Sequence, residues 1–197
     1  MKLMKEKEKV TYLRIAIYCG SSSGKSPVYE EAAVELGKAL AKKKYGVVYG
    51  GSNQGLMGKV ADAALSEGGE VIGVMPKHLM NKEKLHTTLT ELYIVDSMHT
   101  RKKKMSDLAD AFVALPGGCG TLDEYFEAFT WAQIGLHQKP VILYNVNGFY
   151  DALILHFQKM MQEGFLREHQ HHLFKVATTL EELLALLGQL GGENKED

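Results

Sequence analysis

The sequence predicts one doubly wound α/β domain of Rossmann-like type, with a mainly parallel sheet and helices on both faces. Three observations predict it. Short apolar runs rich in branched residues, the mark of strands buried on both sides, alternate with segments whose apolar residues recur at helical spacing. The links between them are short, which favours parallel strands joined by helical crossovers. Glycine-bearing loops after Cys19, Tyr49 and Leu115 all fall at the carboxyl ends of predicted strands, where open α/β sheets bind their ligands.

Taken in order, Arg14 to Cys19 is the first strand, followed by the loop Gly20–Lys25. Ser26 caps and Pro27 opens a helix with Glu30 and Glu31 at its positive end and a stripe of Val28, Ala32, Leu36, Ala39 and Leu40. Gly46 to Tyr49 is the second strand. Gly50-Gly51-Ser52 turns into a helix through Leu65, ended by Gly68-Gly69. Val71 to Met75 and Leu92 to Val95 are the third and fourth strands, and Ser97 caps a helix to about Leu108. Ala111 to Leu115 is the central strand, with Thr121 expected as N-cap of a helix from Leu122 to Ile134. Pro140 opens the strand Val141–Tyr144. A helix over Phe149–Met161, a short strand over Lys175–Ala177 and a helix over Thr179–Leu187 complete the domain.

These elements fill residues 12–188. The charged N-terminus, residues 1–11, reads as a mobile arm and residues 189–197 as a disordered tail. Lys plus Arg number 23 and Asp plus Glu 24, so a formal net charge of −1 gives no reason to expect a nucleic-acid polymer or a membrane as partner. No apolar run approaches the roughly 20 residues that span a bilayer. The first residues lack the apolar core of a signal peptide. Two cysteines, Cys19 and Cys119, make no disulfide framework and suit a reducing, cytoplasmic compartment.

The chemistry concentrates in Asp110–Trp131. The strand Ala111–Leu115 runs into Pro116-Gly117-Gly118-Cys119-Gly120-Thr121 and then a helix. Glycines let a ligand approach the backbone, and a helix start offers unpaired N–H groups and partial positive charge to an anion. Glu124 stands at the mouth of that site. Thr121-x-x-Glu124 also has the letters of a capping box, as does Thr179-Leu180-Glu181-Glu182, which lacks the glycines and reads as a cap only. The glycine loop gives Glu124 a catalytic reading that Glu182 does not have.

The string PGGCGTLDE resembles the signature of the Lonely Guy family of phosphoribohydrolases, once widely labelled lysine decarboxylases. The similarity extends to Gly50–Gly58 and to Met98-His99-Thr100-Arg101-Lys102, and covers about Ile15 to Leu187. It implies hydrolysis of the N-glycosidic bond of a purine nucleoside 5′-monophosphate, a cytokinin riboside monophosphate or AMP, by a homodimer that needs no cofactor and no metal. Arg101 and Glu124 are the implied catalytic pair. Glu83, Arg101, Lys102, Gly118, Cys119, Gly120, Thr121, Leu122, Asp123, Glu124 and Thr130 are implied substrate contacts. Gly20 and Ser21 fall at the rim of the nucleotide site, and Gly51 and Ser52 stand in the second glycine loop, where the family often has glycine at the position of Ser52. Asp123 projects about 100° away from Glu124 around the helix.

Other chemistries fit less well. Gly20 to Ser26 suggests a P-loop, but three residues separate its glycines instead of four. Cys119 at a helix start could be a nucleophile, yet no motif assigns it a histidine base. His169-Gln170-His171-His172 reads as a solvated loop and not a metal site. Lys103 and Lys104 read as solvated, and Met57, Met75, Met98 and Met105 as core fillers. No lysine sits in a recognisable pyridoxal phosphate motif, which counts against decarboxylation. A non-catalytic nucleotide-sensing module is the alternative from another class.

Overall fold

The structure is a computed structural model that describes residues 13–80 and 84–191. Its centre is a seven-stranded parallel sheet in the order β4-β3-β2-β1-β5-β6-β7. The strands are β1 (Arg14–Tyr18), β2 (Gly46–Tyr49), β3 (Val71–Pro76), β4 (Glu91–Val95), β5 (Ala111–Ala114), β6 (Val141–Tyr144) and β7 (Lys175–Ala177). The helices are α1 (Val28–Lys42), α2 (Gly55–Ser66), α3 (Met98–Leu108), α4 (Cys119–Gln133), α5 (Asp151–Gln162) and α6 (Leu180–Gly188).

Because alternate strand residues point to opposite faces, the apolar runs feed two cores. Ile15, Ile17, Val47, Tyr49 and Val113 pack against α1, α2 and α6. Ala16, Tyr18, Val48, Phe112 and Ala114 pack against α3, α4 and α5. The chain runs outward from β1 to β4, returns through α3 to β5 beside β1, then runs outward the other way. The strand order therefore reverses between β1 and β5, where a crevice opens at the carboxyl ends.

The expected alternation breaks once. Residues 77–90 join β3 to β4 with only a short 3-10 turn, Lys77–Leu79, among the described residues. Two helix starts also differ from expectation. Helix α1 begins at Val28 after Pro27, with no side-chain cap from Ser26. Helix α4 begins at Cys119 with Gly118 as N-cap, so Thr121 is its third residue and caps nothing. Gly118 takes the N-cap place in an extended conformation, and the Thr121 side chain is buried against Gly117, where a Cβ would lie 2.1 Å from its hydroxyl oxygen. By contrast Ser97 caps α3, accepting from Thr100 N–H at 3.1 Å. A 3-10 turn over Gln189–Gly191 carries regular structure past the boundary expected at 188. The expected arm and the rest of the expected tail lie outside the described residues.

Candidate active site

Three loops meet at the crevice. Gly20 N–H donates to Pro116 O at 3.1 Å, which ties the loop after β1 to the loop after β5. Leu56 N–H donates to Gly20 O at 3.1 Å. Gly55, at φ +53°, lies so close to Ser21 that a Cβ there would sit 2.4 Å from its carbonyl carbon. Only glycine fits that turn. From the α5 side, Tyr150 Oη donates to Leu115 O at 2.6 Å and fixes the end of β5.

The crevice holds a cavity of about 330 Å³ lined by Cys19, Gly20, Ser21, Met57, Met98, Arg101, Gly118, Cys119, Gly120, Thr121, Asp123 and Glu124. A larger cavity of about 620 Å³ opens at the other end of the sheet, around Pro140, Val141 and Lys175. Size favours that one. Topology and chemistry favour the crevice, because it lies at the switch point and combines a helix N-terminus with a buried ion pair.

That pair is Arg101 and Glu124, with Nη1 to Oε1 at 3.4 Å and both side chains about nine-tenths buried. Arg101 Nε donates to Val74 O at 3.0 Å. A Cβ on Gly50 would lie 1.9 Å from Arg101 Nη2, so the absence of a side chain there makes room for the guanidinium. Glu124 stands five residues into α4, about 7.5 Å along its axis from the first residue. The amides of Cys119, Gly120 and Thr121 occupy the first turn, where no intrahelical acceptor exists, and no side chain caps them. The crevice thus presents anion donors and a buried carboxylate at different depths. Beneath it, burial and then the Glu124 charge push the Cys19 thiol up, and the same two causes push Tyr18 up. Cys19 is therefore a protonated wall and not a nucleophile. No histidine among the described residues lines the cavity, so Cys119, exposed at the first position of α4, has no base beside it there.

Residues 57–187 match the family described as "Possible lysine decarboxylase". A probable cytokinin riboside 5′-monophosphate phosphoribohydrolase of Oryza sativa subsp. japonica is 52% identical over 163 residues, which is 83% of this chain and 72% of the relative. A cytokinin riboside 5′-monophosphate phosphoribohydrolase of Arabidopsis thaliana is 44% identical over 191 residues, 97% of this chain and 88% of the relative. The chain belongs to this family. The fold is shared more widely. The molybdenum cofactor carrier protein of Chlamydomonas reinhardtii superposes with a TM-score of 0.71 at 21% identity, covering 92% of this chain and 99% of that one. A molybdenum cofactor binding protein of Rippkaea orientalis gives 0.70 at 21% identity, with coverage of 92% and 98%.

In this member of the lysine decarboxylase-like family, the residues singled out from sequence fall into three groups. Arg101, Gly118, Cys119, Gly120, Thr121, Asp123, Glu124, Gly20 and Ser21 line the crevice cavity. Gly51 and Ser52 are buried beside it, while Lys102, Leu122 and Thr130 do not line it. Lys102 Nζ instead bonds Glu127 at 2.8 Å and Asp123 at 3.1 Å. Burial works against its ammonium, but those two carboxylates overcome it and leave Lys102 raised. Thr130 is exposed. Glu83 lies outside the described residues. Met57 and Met98, expected as core fillers, line the cavity, and Lys104 stacks over the Tyr93 ring at 4.0 Å. Sequence reasoning missed Cys19, Met57 and Met98 as cavity walls. Position was the available signal, since Cys19 directly follows β1 and Met57 and Met98 stand in the first turns of α2 and α3.

Proposed function

We propose that this protein hydrolyses the N-glycosidic bond of a purine nucleoside 5′-monophosphate, a cytokinin riboside monophosphate or AMP, to free base and ribose 5-phosphate. The observation that carries this reading is the buried Arg101–Glu124 pair set one and a half turns above an uncapped glycine-rich helix start. The relatives named above act in this way by name.

In this mechanism the amides of Cys119, Gly120 and Thr121 hold the 5′-phosphate. The sugar then extends along α4 toward Glu124. Cleavage develops positive charge at C1′, which the Glu124 carboxylate stabilises. Water oxygen bonds C1′ as the C1′–N bond breaks. Glu124 takes one water proton as the base leaves with the bonding pair; that proton passes on to the departing base, which restores the carboxylate. Arg101, held by the Val74 carbonyl, orients the carboxylate and keeps donors for a ribosyl oxygen. The wild-type protein is expected to release free base from AMP or isopentenyladenosine monophosphate, read by chromatography. Tight binding without product would favour the sensing module.

The same reading makes the enzyme a homodimer. Phe126 on α4, Ile134 at its C-cap and Leu155 on α5 are exposed large apolar residues. Exposed large apolar side chains of this kind are often covered by a partner. Light scattering should give about twice the 21.9 kDa chain mass; a monomer contradicts the assignment. No helix among the described residues is long and apolar enough to cross a membrane. The two free cysteines suit the cytoplasm.

A further inference from the structure

We propose that His86 is a positioning residue: it clamps the segment Lys84–Thr88 to α2, so that this segment holds the loop Gly50–Gln54, and through it Arg101, beside the reacting bond. The proposal rests on the hydrolase reading given above.

His86 is buried, although it lies in the long connection between β3 and β4, whose described residues form only a 3-10 turn. Its Nε2 lies 3.0 Å from Asp62 Oδ1 on α2. Thr88 N–H can only donate, and it points at His86 Nδ1 at 3.4 Å. Nδ1 is therefore the acceptor, and Nε2 carries the proton that bonds Asp62. The ring is fixed from both sides.

A buried histidine on a carboxylate is usually an internal staple. What sets this one apart is where the backbone around it leads. His86 N–H donates to Gly51 O at 3.0 Å. Lys84 O accepts from Asn53 N–H at 2.9 Å and from Ser52 Oγ at 3.4 Å. Ser52 and Leu85 form an isolated antiparallel bridge. Three consecutive loop residues are thus bonded to Lys84 and His86, with Leu85 between them paired opposite Ser52. The loop's next residue toward β2, Gly50, is the wall on which the Arg101 guanidinium rests. The clamp therefore acts on the arginine side of the site. The phosphate side, Gly118 to Thr121, belongs to a different loop.

This separation sets the test. His86→Ala should lower kcat for base release about tenfold or more, since small misplacements of a catalytic group are costly. KM should stay within about twofold, because the phosphate donors are untouched. Hydrogen exchange at the Asn53 amide should speed up even without substrate. His86→Gln can reach Asp62 and Thr88 and should recover most of the kcat. If His86→Ala folds poorly, Asp62→Ala, an exposed position, tests the same link and should lower kcat roughly threefold. Unchanged kcat in both variants, or unchanged Asn53 exchange, overturns the proposal. A lower melting temperature with kcat intact also overturns it, since His86 would then only stabilise. A wild type that releases no base sinks the hydrolase reading, while the exchange experiment still decides whether the clamp exists.

Discussion

Two segments of this chain share the letters Thr-Leu-acid-Glu and do opposite things with them. At Thr179–Glu182 the threonine Oγ1 accepts from Glu182 N–H at 3.2 Å, and Glu182 Oε2 accepts from the Thr178 and Thr179 amides at 2.7 and 3.3 Å. This is a complete capping box on α6. At Thr121–Glu124 no such box forms. The helix has already begun at Cys119, the threonine is buried against Gly117, and Glu124 faces Arg101 inside the crevice. The difference comes from what precedes each segment. Strand β7 delivers an extended chain directly to Thr179, which stays extended at ψ 161°. Before Thr121 the missing Cβ of Gly117 leaves room to bury the threonine side chain, and Gly118 takes the N-cap place three residues earlier, which puts the glutamate in the second turn of the helix. One glutamate satisfies amides at a helix start, and the other faces Arg101 in the crevice, where the proposed reaction needs it.

The largest effect that would break this contrast is chemical. Glu124→Gln keeps the size of the side chain and a hydrogen-bond acceptor for Arg101, and removes the charge. Turnover should fall by about a thousandfold or more, equivalent to ~4 kcal/mol of transition-state stabilisation. Glu182→Gln should leave kcat unchanged. Base release by the two purified variants compares them directly. Substantial activity in Glu124→Gln would return Glu124 to the rank of its counterpart on α6.

How far this contrast was legible from sequence depends on the residue. The strands were legible because buried parallel strands need short continuous apolar runs, and Ala111–Leu115 and Val141–Tyr144 are such runs. The glycine loops located the crevice by the same logic. The start of α4 was misread because Thr121 is a good cap by type, and nothing in its identity reveals that Gly118 takes the role without a side chain. The Arg101–Glu124 pair came from family resemblance. The two residues are 23 positions apart, and only the return of the chain through β5 brings them together. Lys102 looked like a ligand contact and is engaged by Glu127 and Asp123, a consequence of α3 packing beside α4. His86 gave no signal at all. Its partner Asp62 lies in an ordinary helical pattern, and their meeting depends on an irregular connection that periodicity cannot describe.

A middle-sized effect sharpens the structural half of the comparison. Thr179→Ala removes a real cap and should cost about 1 kcal/mol. In a chain of this size that lowers the melting temperature by roughly 2–4 °C, with kcat unchanged. A melting temperature equal to wild type would mean that the box on α6 is satisfied by water as well as by Thr179.

The smallest effect is a pH dependence confined to Glu182. Hydrogen bonds from the Thr178 backbone, then the Thr178 hydroxyl, hold its carboxyl below the usual glutamate range. A folded pKa below the unfolded value, about 4.3, means that the stabilisation is fully present above that pH. It is lost as pH falls through the folded pKa, because protonation then favours the unfolded chain. Glu182 is exposed, so solvent screens the effect and added salt should shrink it. The wild type should therefore melt slightly above Glu182→Gln at neutral pH. The gap should close as pH drops below about 4. A gap that stays constant with pH would show that Glu182 contributes through the shape of its hydrogen bonds and not through its charge. That would remove the last electrostatic feature it shares with Glu124.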